Sequence, residues 1–185
     1  PKAGQGMNVS MADTFNLGWK LAAVLRGQAS PSLMHTYSAE RQAKAKELID
    51  FDRDMARLFS ARSGDNAFAA RFQEYFQKHG RYTAGVETRY DPSSIVMDGA
   101  HQHLAKGLVT GMRFHSAPVI RLADARPLHL GHVLKADGRW RLIAFAAADD
   151  DGGPEGGIAR LCAYLNTDPS SPLNRYTPDG ADRDL

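Results

Sequence analysis

Apolar residues recur at helical spacing from the start of the chain to about Gly80, and at a shorter spacing after Arg113. From Met7 to Leu25 they occupy most sides of a helical projection, with Met11, Phe15, Gly18, Trp19 and Ala22 on one stripe and Leu17, Leu21 and Val24 on another. This pattern predicts a helix buried by neighbours on several faces. Ser10 with Asp13 three residues later resembles a capping box with the shorter acid, and Arg26-Gly27 supplies a closing cation and glycine.

Ser30-Pro31-Ser32 punctuates the chain and opens a second helix, predicted from about Ser32 to Ser60. Its apolar positions Met34, Tyr37, Ala45, Leu48, Phe51, Met55 and Phe59 advance in steps of three and four, and Glu40, Lys44, Glu47, Asp50, Arg53 and Arg57 fill the opposite face. Glu40 with Lys44 and Asp50 with Arg53 are spaced as favourable same-face pairs, each contributing about 0.2–0.5 kcal/mol. A shorter helical pattern runs through Phe68, Phe72, Tyr75 and Phe76 to His79-Gly80, and its aromatic spacing points to core or interface packing.

Thr83 to Met112 carries several glycines, Tyr90-Asp91-Pro92-Ser93 and a brief apolar run at Ile95-Val96-Met97, and reads as irregular with short strands. Beyond Arg113, Pro118 to Leu122 predicts a short strand and Pro127 to Leu134 a short helix or turn. Trp140 to Ala146 predicts a buried strand introduced by the turn Asp137-Gly138. An acidic, glycine-rich loop from Asp149 to Gly157 precedes a helical pattern from Ile158 to Asn166, and Thr167 to Leu185 shows no period. Strand, loop and helix in that order begin an α/β unit, so the expected class is α/β, or α+β for a fragment: a helical first half, then an α/β region that continues past the last residue.

The 185 residues, 43% hydrophobic and 24% charged, are enough for one large domain or two small ones. Twenty-three lysines and arginines against 21 acidic residues give a formal net charge of +2, too balanced for a nucleic-acid footprint. No apolar stretch approaches the roughly 18 residues of a membrane span, and no targeting segment is visible. The lone Cys162 excludes an internal disulfide framework and any multi-thiolate zinc site, which fits a reducing compartment, by default the cytoplasm. His101 with His103, and His129 with His132, each offer two metal ligands, but no thiolate or carboxylate recurs beside them at ligand spacing. Asp149-Asp150-Asp151 lacks the alternating oxygens of a calcium loop.

The strongest local chemistry is Pro1-Lys2-Ala3-Gly4-Gln5-Gly6-Met7-Asn8, a glycine-rich turn feeding straight into the first helix. Glycines admit close backbone approach, and the N–H groups at a helix start carry partial positive charge toward an anionic or carbonyl group. Taken alone, the turn is equally a tight structural turn, and it lacks the GxGxxG spacing of a dinucleotide fingerprint. With no initiator methionine and no preceding strand, the opening reads as part of something longer.

The run from Pro1 to Ala22 resembles the segment that closes the flavin site in FAD-dependent aromatic hydroxylases of the phenol 2-monooxygenase and 3-hydroxybenzoate 4-monooxygenase type. The resemblance continues through Tyr37-Ser38-Ala39-Glu40-Arg41, Tyr90-Asp91-Pro92-Ser93, Arg113-Phe114-His115-Ser116-Ala117-Pro118-Val119 and Asp137-Gly138-Arg139-Trp140. It implies a phenol-hydroxylating flavoprotein using FAD, NAD(P)H and O2, with a homodimer as the expected assembly and neither nucleic acid nor membrane as partner. Pro1 would lie beside the reacting face of the isoalloxazine as the catalytic-site residue. Gly4, Gln5, Gly6, Met7 and Asn8 would bind the cofactor, with the N–H groups of Gly6 to Asn8 near the pyrimidine end, where the helix dipole stabilises negative charge at N1–C2=O.

The same resemblance implies three regions. Residues 1–62 would end an FAD/substrate-binding domain, 63–112 would be a helical and irregular connection, and 113–185 would begin a thioredoxin-like C-terminal domain. The family's dinucleotide-binding unit, its Gly-Asp motif and its phenol-activating residues would lie upstream of Pro1, leaving this stretch inactive by itself. Thioredoxin-type chemistry needs a thiolate with a resolving partner. Cys162, alone inside a predicted helix, is expected to be buried and inert, which argues against a thiol oxidoreductase. The rival reading is a non-catalytic dimerisation or docking module with no bound cofactor.

Overall fold

The computed structural model describes residues 4–60 and 66–181 and divides into two compact units, 1–136 and 137–185. In the first unit, helix α1 spans Gly6–Leu25 and α2 spans Leu33–Ser60. The end of α1 follows the glycine expectation. Gly27 takes φ +69°, and the N–H of Gln28 reaches back to the carbonyl of Ala23 at 2.9 Å, a closure that requires a left-handed residue. The Ser10–Asp13 start signal is not used: the helix begins four residues before Ser10, and the Asp13 carboxylate turns away to Arg41.

The burial of α1 departs from expectation. Its covered stripe includes Val9, Asp13, Asn16, Leu17 and Lys20, with Asn16 buried and Lys20 fully so, whereas Met11 is 63% and Phe15 66% exposed. Among the described residues this helix is packed on one face only, and that face is largely polar. The partner surface of α2 is correspondingly polar, with Thr36, Glu40 and Arg41 buried beside Leu33. Glu40 therefore does not pair with Lys44 on an outer face. It accepts from Lys20 Nζ and Asn16 Nδ2, both at 2.7 Å, and Lys44 pairs with Glu47 instead. The expected Asp50–Arg53 pair forms at 2.9 Å.

Farther along α2 the packing becomes apolar. Phe51 and Met55 are buried where α3 (Asn66–Lys78) and the one-turn α4 (Gly80–Thr83) meet α2. The Phe51 ring lies 5.7 Å from Tyr75, 5.4 Å from His79 and 5.0 Å from Tyr82, so Tyr75 of the aromatic pattern packs on α2, whereas Phe76 is 44% exposed and the Phe68 side chain lies outside the described ones. The segment after α4 is irregular, with a 3-10 turn at Gln102–Leu104 and a single bridge between Arg89 and Met112. That bridge needs Gly111, which sits at φ +82°. A Cβ there would come within 2.2 Å of the Tyr90 carbonyl oxygen, so only glycine lets the Tyr90 N–H donate to the Gly111 carbonyl at 3.0 Å.

Strand β1 (Pro118–Arg121) pairs antiparallel with β2 (Arg126–His129), in register Pro118 to His129 and Arg121 to Arg126. Arg126–His129 is thus strand, and the helix expected in this region is confined to α5, Leu130–Val133.

In the second unit the predicted strand at Trp140–Ala146 does not form. Residues 140–146 are extended without joining a sheet, and Trp140 is 79% and Phe145 67% exposed. An apolar run becomes a buried strand only where a ladder and a covering layer exist, and none of the described residues supplies them. Helix α6 (Gly157–Thr167) matches its pattern within a residue at each end. Asp150 in the acidic loop caps it, accepting from Ile158 N at 3.0 Å. The aperiodic tail contains a short helix, α7 (Pro172–Tyr176), capped by Ser171, whose Oγ accepts from Asn174 N and donates to the Leu165 carbonyl.

Candidate functional site

The glycine turn enters α1 with Gln5 as its N-cap residue and no side-chain cap. The first intrahelical bond runs from Val9 N to the Gln5 carbonyl at 3.0 Å. The N–H groups of Gly6, Met7 and Asn8 therefore project from the end of a twenty-residue helix, with no acidic residue in the first turn to neutralise them. Gly4 holds φ +72°, a left-handed backbone that favours glycine at the turn entering the helix. A donor set of three backbone amides at an uncapped, unneutralised helix start fits an anionic or carbonyl edge, the chemistry of a flavin pyrimidine end.

Side chains hold this terminus from two directions. Gln5 Nε2 donates to the Thr83 carbonyl at 3.3 Å, and Asn8 Nδ2 donates to Gln5 Oε1 at 3.2 Å. From α2, the guanidinium of Arg41 donates to Asp13 Oδ1 at 2.6 Å, to the Tyr90 hydroxyl at 2.8 Å and to the Val9 carbonyl at 3.3 Å. Burial works against the cation, but the bonds to Asp13 and Tyr90 outweigh it, and the Arg41 pKa is raised above its ordinary value.

Residues 88–185 match the family described as phenol hydroxylase, C-terminal dimerisation domain. The chain belongs to this phenol hydroxylase family. Residues 1–52 match a second family, described as FAD binding domain, and this stretch contains the glycine turn, all of α1 and Arg41. The chain is 58% identical to the 3-hydroxybenzoate 4-monooxygenase of Comamonas testosteroni across its whole length, covering 29% of that protein. It is 38% identical to an FAD-dependent monooxygenase of Aspergillus terreus, over all of this chain and 31% of the relative. It is also 38% identical to a phenol 2-monooxygenase of Aspergillus fumigatus, over 99% of this chain and 32% of the relative. The chain thus spans about a third of the length of these curated relatives.

Of the residues assigned to the flavin site from the phenol hydroxylase resemblance, Gly4, Gln5, Gly6, Met7 and Asn8 stand together at one helix start, and Pro1 lies outside the described residues. The Asn8 side chain reaches Gln5 and the Gln5 side chain reaches Thr83, so both side chains support the turn and leave only backbone groups of these residues for a ligand. The sequence reading missed Asn16, Lys20 and Glu40 as a buried polar set, and Asp13, Arg41 and Tyr90 as a second set beside it. The recurrence of Asp13, Asn16 and Lys20 at three and four residue steps within an apolar helix was the available sign of a polar buried stripe.

Other candidates separate from this site. The His101 and His103 rings stand 6.5 Å apart and those of His129 and His132 6.0 Å apart. Among the described residues no group of three His, Cys, Asp or Glu residues is placed to hold a metal ion. Cys162 is exposed on α6, not buried as expected, because that side of the helix meets no described neighbour. A cavity of about 660 Å³ lies beyond the aromatic cluster, between Asp54, Tyr75, His79, Tyr82 and Arg89. The Tyr82 hydroxyl is buried there without a partner, and burial, followed by Glu47 and Asp52, raises its pKa.

Proposed function

We propose that this chain is part of a flavoprotein monooxygenase that hydroxylates a phenolic ring with FAD, NAD(P)H and O2. The observation that carries the reading is the coincidence of the FAD-domain match over residues 1–52 with an α1 start that has no side-chain cap and no acidic residue in its first turn. When bound, FAD would supply the redox chemistry of a hydroxylation in which NAD(P)H gives two electrons, one oxygen atom of O2 enters the ring and the other leaves as water.

This chain's own residues bind and orient. The N–H groups of Gly6, Met7 and Asn8 hold the N1–C2=O edge and favour negative charge there, fixed in place so that no reorganisation is needed when charge develops. Gly4 keeps the backbone low enough for that edge to approach. By resemblance to the family, Pro1 would lie beside the reacting ring face.

The reading extends to a homodimer assembled through the region matched to the dimerisation domain, in a reducing cytoplasm. Among the described residues no helix is long and apolar enough to cross a membrane. Along the chain, residues 1–62 would close the FAD/substrate domain, 63–112 connect, and 113–185 begin a thioredoxin-like fold that works as a structural element, since Cys162 has no second thiol in this chain.

The full-length polypeptide, purified gently, should carry FAD and oxidise NADPH or NADH faster when a phenol such as 3-hydroxybenzoate is added, with hydroxylated product appearing. Protein free of flavin, with no phenol-stimulated oxidation even after FAD is supplied, would leave only the dimerisation-module reading.

A further inference from the structure

We propose that Arg41 is a positioning residue for the flavin site, fixing the first turn of α1 so that the amides of Gly6 to Asn8 are aimed before the cofactor arrives. The inference rests on the flavin reading above and adds a residue that sequence matching left without a role.

Helix starts fray because their first N–H groups lack intrahelical acceptors. At this start the ordinary remedy, a capping side chain, is absent, and a cap would in any case occupy the donors needed for the ligand. The restraint must therefore act on carbonyls and on the next turn. Arg41 does this. Val9 closes the first turn through its N–H to the Gln5 carbonyl, and Arg41 grips the carbonyl of the same residue at 3.3 Å. One turn later it binds Asp13 at 2.6 Å, so two successive turns of α1 are held to one guanidinium.

The third bond gives the clamp its anchor. Tyr90 accepts at 2.8 Å from a position 49 residues away in the chain, set by the close approach of its backbone to Gly111. Arg41 is buried, so these bonds are sheltered from competing water. Three divergent bonds in one plane are a task for a guanidinium fork, and a lysine ammonium is a point charge on a flexible stem that cannot reproduce the geometry. Donors aimed in advance bind the reduced, more negative cofactor more strongly than the oxidised one. The clamp should therefore act on the potential as well as on affinity.

The test uses the full-length polypeptide with Arg41→Ala, Arg41→Lys and Tyr90→Phe, measuring the Kd for FAD by titration of stripped protein, the flavin midpoint potential and the melting temperature. Arg41→Ala should weaken FAD binding about tenfold. Its reduced form should weaken by a further factor of about ten, which makes the midpoint potential about 30 mV more negative for the two-electron couple. Arg41→Lys should fall between, and Tyr90→Phe should shift the potential in the same direction with little change in melting temperature.

Folded variants that bind FAD with wild-type Kd and potential, whatever their melting temperature, would overturn the role of Arg41 while leaving the flavin reading intact. Should Arg41→Ala fail to fold, a wild-type potential in both Tyr90→Phe and Arg41→Lys would overturn it equally. Wild-type protein that takes up no FAD would overturn both readings together.

Discussion

The pair α1–α2 and the segment 137–181 solve the problem of holding shape in opposite ways. In the helix pair, the buried contact is made by charged and polar side chains that reach across 20 to 49 residues of sequence, from Lys20 to Glu40 and from Arg41 to Tyr90. In the second unit almost every side-chain bond is local. Asp137 serves Arg139 and Arg141, Asp150 serves Gly152 and Ile158, Asp168 serves Ser170, and Ser171 serves Asn174. Long-range polar bonds fix one element against another and can aim a helix end at a ligand. Local bonds shape turns and leave apolar residues such as Leu142 and Phe145 facing outward. A region of the first kind can hold a site in place, and one of the second kind leaves apolar surface uncovered.

The contrast breaks most sharply at Lys20. It is fully buried against a Glu40 carboxylate that is also enclosed, and Glu40 Oε1 has no second partner. Lys20→Ala should destabilise the protein by about 3–5 kcal/mol in chemical denaturation, because it leaves a buried charge with only Asn16 to answer it. The joint change Lys20→Met with Glu40→Leu should recover most of that loss. A Lys20→Ala cost below about 1 kcal/mol would mean the interface is wet and the contrast false.

In the local unit the largest single effect should come from Ser171, whose hydroxyl is enclosed between the Leu165 carbonyl and Asn174 N. Ser171→Ala should cost about 1–2 kcal/mol, read from unfolding of α6 and α7 by circular dichroism. No change at Lys20 should alter that value, since sites with no shared hydrogen-bond partner add independently.

The smallest effect is pH-dependent. Hydrogen bonds, first from Ile158 N and then from Gly152 N, hold the Asp150 carboxyl below its ordinary 3.8. A depressed folded pKa means the carboxylate stabilises the α6 start at all pH values above 3.8, and loses that effect as pH falls through the lower folded value. Amide exchange at Ile158, corrected for intrinsic rate, should accelerate between about pH 5 and pH 2, and Asp150→Asn should remove that dependence.

Legibility followed the same division. Helix α2 and strand β1 were readable because their apolar residues repeat at one period against partners close by. Glu40 was misplaced because periodicity sends charge to solvent, and only its partner on another helix shows otherwise. Trp140 to Ala146 has the composition of a buried strand, yet composition does not supply a neighbouring strand. Helix α7 was announced by Ser171-Pro172, a cap followed by a helix-starting proline, but five residues are too few to show a period. The glycine turn was legible as a helix entry, and the structure adds that this entry has no side-chain cap. The clamp at Arg41 was not, because its three acceptors come from α1 and from a loop whose path depends on Gly111.

The central claim is that the start of α1 faces the flavin, and amide exchange in full-length protein with and without FAD tests it directly. Saturating FAD should slow exchange at Met7 and Asn8 by at least about tenfold, while amides in the middle of α2 change little. FAD that binds and reduces normally while Met7 and Asn8 exchange at unchanged rates would contradict the claim.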